Sequence, residues 1–170
     1  AEKEAQCAAG WFQTDNAEQA YKYLTDSSVS KYLEYTHIGA KDDATSLDHL
    51  LTALDMIDEG NRLREENGLE PVKVSETALA MAMVQANYAA RPGEEHHNHN
   101  YQYDNVGENL AWGTSDWDPY IGWYTNEKAI YDAAVKSGDY PDLADLSPYD
   151  VFSKYPDLYY KVCHYLNIID

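Results

Sequence analysis

Eight residues, Asn105-Val106-Gly107-Glu108-Asn109-Leu110-Ala111-Trp112, lie between a histidine cluster (His96, His97, His99) and a proline-started segment that carries Glu127. A second stretch, Cys163-His164-Tyr165-Leu166-Asn167-Ile168-Ile169, closes the sequence. Four separate segments thus supply two glutamates and two or more histidines, the composition of a metal-binding or acid/base cavity rather than of an ordinary core. Any fold for this chain has to bring those segments together.

The 170 residues fit one domain of a size that buries about two-thirds of its unfolded surface. Thirty acidic against 12 basic residues give a formal charge of -18. Such a surface repels phosphate backbones and anionic headgroups, which argues against nucleic-acid binding and favours cations or basic partners. No apolar run approaches the roughly 20 residues that span a bilayer, so membrane insertion is not expected. Ala1-Glu2-Lys3-Glu4 lacks the apolar core of a signal peptide, an absence that a processed secreted protein would share. Cys7 and Cys163 make no framework and no Cys-x-x-Cys signature; they are read as thiols, or at most one staple. Sixteen tyrosines against 2 phenylalanines suit surfaces that are apolar in body and wet at the edge, hence a broad Tyr-lined groove.

Residues 1–44 read as an N-terminal helical extension, with Asn16 capping a helix through Leu24, Ser28 or Ser30 opening another to Tyr35, and a polar break at Gly39–Asp43. From Ser46, Leu47, Leu50, Leu51, Leu54, Ile57 and Leu63 recur at helical spacing until Gly68 and Pro71. Asn61 and Arg64 near the end of that helix are read first as structural hydrogen-bonding groups. Ser75 caps a second helix with a stripe of Leu79, Ala82, Met83 and Ala86, ending before Pro92-Gly93. The stretch from Val106 to Trp112 reads as an extended segment in which Gly107 allows close approach of the backbone. Asp118 and Pro119 open a helix to about Lys136 on which Trp123, Glu127 and Tyr131 share one face. Residues 137–161, rich in Pro, Asp and Tyr, read as a lid-like excursion with a short helix from Ser147-Pro148. Val162, His164, Leu166 and Ile168 alternate with Cys163, Tyr165, Asn167 and Ile169, as on a strand. No P-loop, dinucleotide fingerprint, His-Glu-x-x-His helix or Gly-x-Ser-x-Gly elbow is present.

Several of these motifs, in this order, resemble the cysteine-rich secretory protein, antigen 5 and pathogenesis-related class 1 (CAP, or SCP-like) superfamily. They are Asn61-Arg62-Leu63-Arg64 with Gly68-Leu69-Glu70-Pro71; Leu79, Ala82 and Ala86; Gly107-Glu108-Asn109-Leu110; Trp123-Tyr124-Thr125-Asn126-Glu127; and Cys163-His164-Tyr165. The resemblance divides the chain into the extension, 1–44, and a CAP/SCP-like domain, 45–170, similar to the disulfide-poor bacterial branch. It implies an α/β fold, a three-layer α-β-α sandwich with a wide cleft. It also implies a cavity of two histidines and two glutamates, carried over as His97 and His164 (His99 or His96 as alternates to His97) with Glu108 and Glu127. In such a cavity the histidines hold zinc or another divalent metal.

Three departures stand out. Cys163 replaces a glycine, one extra residue lies between Trp123 and Glu127, and the sequence stops at Asp170, where the family continues into further strands.

The expected function is a secreted or cell-surface, extracellular binding module that takes a protein, peptide or lipid ligand in the cleft. Two rivals are a metal-dependent hydrolase with Glu108 or Glu127 as general base, and a structural or adhesive domain with an inert cavity.

Overall fold

A computed structural model describes residues 6–97, 106–113 and 117–170. It divides into two compact units, residues 1–61 with 71–106 and residues 62–70 with 107–170.

The first unit is built on α1 (Ala8–Thr14), α2 (Glu18–Thr25), the first part of α3 (Leu47–Glu66) and α4 (Glu76–Ala89). In α1, Ala8, Ala9 and Phe12 are buried, and in α2 Ala20, Tyr23 and Leu24 are, one face of each helix. These side chains share a core with Leu50, Leu79, Ala80, Met81, Met83 and Val84. Ser75 caps α4 as expected, its Oγ accepting from the Ala78 N–H at 3.3 Å. The buried face of α4 is rotated from the expected stripe: Ala82 and Ala86 are exposed, and Ala80, Val84 and Tyr88 are buried with Leu79 and Met83. Likewise Leu47 and Leu51 on α3 are about half exposed whereas Leu50 is buried. Asn16 does not cap α2; it takes a left-handed conformation, φ 56°, which Asn tolerates, and Ala17 precedes the helix. Ser28 is held by Asp26 Oδ1, through N–H and Oγ, so only a single 3-10 turn, Leu33–Tyr35, forms before Thr36.

A buried polar knot joins the loop before α3 to α4. Asp43 accepts from the N–H groups of His37 and Thr45, from Thr45 Oγ1 and from Asn87 Nδ2. Asn87 Oδ1 accepts in turn from the Ala44 N–H at 2.9 Å.

In the second unit a helix opens at Pro119, continues as a π-helical segment, Ile121–Asn126, and becomes α5 (Glu127–Ser137). Asp118 caps it, Oδ1 accepting from the Tyr120 N–H at 2.9 Å, and Gly138 ends it in the left-handed conformation, φ 77°. The π segment gives the extra residue between Trp123 and Glu127 its place, since a π turn holds one residue more than an α turn. Helix α6 (Pro148–Lys154) starts at Ser147-Pro148 as expected, Ser147 Oγ accepting from the Asp150 N–H. Residues 137–161 do not form a lid: Leu143, Val151 and Leu158 are almost wholly buried, in one core with Ala134, Val162, Tyr165 and Leu166.

The expected α-β-α sandwich is not what forms. The chain is predominantly helical, and among the described residues the only β pairing is an isolated antiparallel bridge between Cys7 and Ser46. The expected terminal strand is α7 (Pro156–Ile169), and residues 106–113 have no regular secondary structure. The reason lies in a longer period than the alternation suggested. Leu158, Val162, Tyr165, Leu166 and Ile169 follow each other at i, i+4, i+7, i+8 and i+11, a helical stripe, and the first four are buried. Pro156 sits in the first turn of α7, where its missing N–H costs nothing.

Candidate functional site

Glu127 opens α5 and His164 lies in the second half of α7. His164 Nδ1 is 2.6 Å from Glu127 Oε1, and the other carboxylate oxygen, Oε2, accepts from the Tyr165 N–H at 3.0 Å. Both oxygens of Glu127 are therefore engaged by one helix, and its side chain is only 14% exposed against 29% for His164. Trp123, one turn earlier, lies over the imidazole with ring centroids 6.3 Å apart and planes tilted by 25°. Tyr131, one turn later, packs on Tyr165 at 5.3 Å. The shared face of Trp123, Glu127 and Tyr131 is thus the face that meets α7.

Cys163 completes the cluster, its Sγ 4.0 Å from His164 Nδ1. Thiol sulfur, imidazole nitrogen and carboxylate oxygen all lie within 4.8 Å of one another. The sulfur beside the ring and, next in weight, the Glu127 carboxylate push the pKa of His164 up to about 10, against the opposing effect of burial. The charged imidazolium form is thereby favoured. No disulfide joins Cys163 to Cys7.

The Gly107–Leu110 stretch is fastened beside this cluster by side chains. Asn109 Nδ2 donates to the His164 carbonyl at 3.2 Å, Asn167 Nδ2 donates to Asn109 Oδ1 at 2.9 Å, and Trp123 Nε1 donates to the Leu110 carbonyl at 3.1 Å. Gly107 is not needed for close approach: a Cβ there would meet Asn167 at an ordinary 3.8 Å. Arg64 holds the end of α7, donating to the Ile168 carbonyl at 2.7 Å and to the Glu70 carbonyl at 2.9 Å. Asn61 pairs with the backbone of Val72 as both donor and acceptor. The structural reading of Asn61 and Arg64 is the one observed.

A cavity of about 430 Å³ opens here, with Glu108, Asn109, Tyr120, Trp123, Asn167 and Asp170 on its walls. Of the expected site residues, Glu127 and His164 are in contact and Glu108 lines this cavity. His96 and His97 belong to the first unit, where both are exposed; His96 Nε2 lies 3.6 Å from Glu94 Oε2 and its ring meets Tyr88 edge-on. His99 lies outside the described residues. Cys163 was legible only as a departure from a glycine; its adjacency to His164 was the signal that a thiol would stand at the site.

The cluster can be tested against the metal expected of such a cavity. Sulfur, nitrogen and oxygen are all zinc donors. Two ligands of a tetrahedral zinc stand about 3.3 Å apart when each bond is about 2.0 Å, so a shared ion would open the 2.6 Å Glu127–His164 contact and displace the imidazole proton. The donor types fit. A nucleophile–base–carboxylate triad does not, because it needs the thiol and the carboxylate on opposite ring nitrogens, and here both approach Nδ1.

Residues 57–170 match the model of the CAP, or cysteine-rich secretory protein, family, and the chain belongs to that family. No curated protein and no solved structure matches it. Among the described residues no helix is long and apolar enough to cross a membrane.

Proposed function

We propose that this CAP domain is a secreted or cell-surface binding module whose cavity takes its ligand beside a metal-capable centre of Glu127, Cys163 and His164. The observation that carries the reading is the engagement of both Glu127 oxygens by α7, which leaves that carboxylate a positioning group rather than a base poised over water. With Glu127 so held, binding is preferred over hydrolysis, and Glu108 on the cavity wall is the carboxylate by which a hydrolase would have to work. Zinc held by the three side chains would supply Lewis acidity and a fixed positive charge at the cavity edge. His164 would have to give up its proton first, and uptake is expected to weaken as pH falls.

The test is a calorimetric zinc titration near pH 7.5 in two buffers of different ionisation enthalpy, on the native chain and on His164→Ala, Cys163→Ala and Glu127→Gln. One saturable site, proton release, and loss of binding in both His164→Ala and Cys163→Ala support the centre. Zinc uptake indifferent to those two substitutions would remove it.

A further inference from the structure

The cavity beside the centre has a chemistry of its own. Tyr120 and Trp123 meet at its wall almost at a right angle, 89°, with ring centroids 5.7 Å apart. The indole is fixed there by its bond from Nε1 to the Leu110 carbonyl, stacked against the His164 ring on one side. Glu108 and Asp170 belong to the same walls, the Asp170 carbonyl already accepting from Arg64 Nη1 at 2.9 Å, and Asn167 adds an amide whose NH₂ is directed to Asn109. Aromatic faces, carboxylates and a carbonyl acceptor are together the partners of an organic cation. The net charge of -18 raises the local concentration of such ligands.

The first unit contains the same chemistry made within the chain. The Arg91 guanidinium lies 3.7 Å from the centroid of Tyr35 and 4.3 Å from that of Tyr88, and its Nη2 is 3.5 Å from Glu94 Oε1. Two tyrosines, one carboxylate and the Tyr88 carbonyl, which accepts from Arg91 Nε at 3.2 Å, seat that arginine.

We infer that the cavity lined by Glu108, Tyr120, Trp123 and Asn167 binds the guanidinium side chain of an arginine presented by a basic peptide. A guanidinium is planar, stacks on aromatic faces and offers five donors to the carboxylate and carbonyl acceptors of the walls. The volume, about 430 Å³, exceeds what a single small ammonium ion fills and leaves room for the arginine stem and part of its backbone. The inference rests on the binding-module reading and specifies its ligand. It does not require the metal, whose charge at the cavity edge would oppose a guanidinium.

The test is a titration with N-acetyl-arginine amide in excess EDTA, followed by tryptophan fluorescence and by calorimetry. N-acetyl-citrulline amide serves as the neutral isostere and tetramethylammonium as the compact cation. Saturable binding of the arginine probe is expected, with citrulline and tetramethylammonium each weaker by about tenfold or more. Glu108→Gln and Tyr120→Leu should each weaken the arginine probe by about tenfold, with unchanged circular dichroism. Citrulline binding as well as arginine, or arginine binding unchanged in both variants, overturns the assignment. Tetramethylammonium binding as tightly as arginine overturns the guanidinium in favour of a headgroup-type cation. EDTA separates the two readings: a zinc centre without arginine binding removes only this one, and arginine binding without a zinc centre removes only the metal.

Discussion

Glu127 and His164 are 37 residues apart in sequence, yet a single carboxylate oxygen and a single ring nitrogen meet at 2.6 Å, while the second oxygen of the same carboxylate takes the N–H of the next residue, Tyr165. The pair therefore fixes both the rotation of α7 against α5 and the orientation of the imidazole.

The Cys163 sulfur and, next to it in weight, that contact set a pH dependence of stability. His164 has its pKa raised from 6.5 to about 10 in the folded chain. The folded state thus holds the proton more tightly than the unfolded one. The resulting stabilisation is fully present below about pH 6.5 and is lost as pH rises through about 10. For a partly buried pair of this kind about 1–3 kcal/mol is expected. Urea denaturation at pH 6 and pH 11 should show Glu127→Gln less stable than the native chain by a margin that narrows at the higher pH, the bond from the Tyr165 N–H to Oε2 accounting for what remains. A constant difference at both would mean that the pair does not carry the effect.

Arg64 predicts a local effect at the end of α7. Arg64→Lys keeps the charge but loses the fork that reaches the Glu70 and Ile168 carbonyls together. A destabilisation of about 1–2 kcal/mol is expected, with faster amide exchange concentrated in the last turn of α7. Exchange raised evenly along α7 would speak against a terminal clamp.

Two glycines of one segment should respond oppositely to the same substitution. A Cβ on Gly113 would lie 2.5 Å from Cε3 and 3.2 Å from Cβ of Trp117, so Gly113→Ala must displace an indole and should cost about 1–3 kcal/mol. Gly107→Ala meets nothing closer than 3.8 Å and should stay within about 0.5 kcal/mol of the native chain. Thermal denaturation of the two variants side by side decides the matter.

In the first unit, Asp43 is 4% exposed and gathers donors from His37, Thr45 and Asn87. Asp43→Ala would leave those donors buried without an acceptor, at a cost of about 3–5 kcal/mol, and Asp43→Asn less. Equal stability of the alanine variant and the native chain by urea titration would show that water replaces the carboxylate at no cost.

How far the sequence foretold this structure differs from element to element. The caps at Ser75, Asp118 and Ser147 were legible because each is a local bond between a side chain and a backbone N–H within three residues. The meeting of Glu127 with His164 was legible through family resemblance. The sandwich was not what formed, and the eight-residue alternation from Val162 to Ile169 misled because strand and helix periods coincide over short apolar runs. Leu158 and Pro156, a few residues upstream, carry the helical period and start that break the tie. The fastening by Asn109, Asn167 and Arg64 was hidden for another reason: amide and guanidinium groups reaching distant carbonyls leave no periodic trace.

The π segment Ile121–Asn126 separates two parts of the site that look like one. Trp123 lies within it and Glu127 just after it. A π turn takes in one residue more than an α turn, so loss of Thr125 or Asn126 would let the segment close to α geometry with Trp123 and Glu127 still on the face that meets α7. The bulge is a slack turn of the screw: it absorbs a change of length inside the helix, while the aromatic wall and the anchoring carboxylate keep a common side.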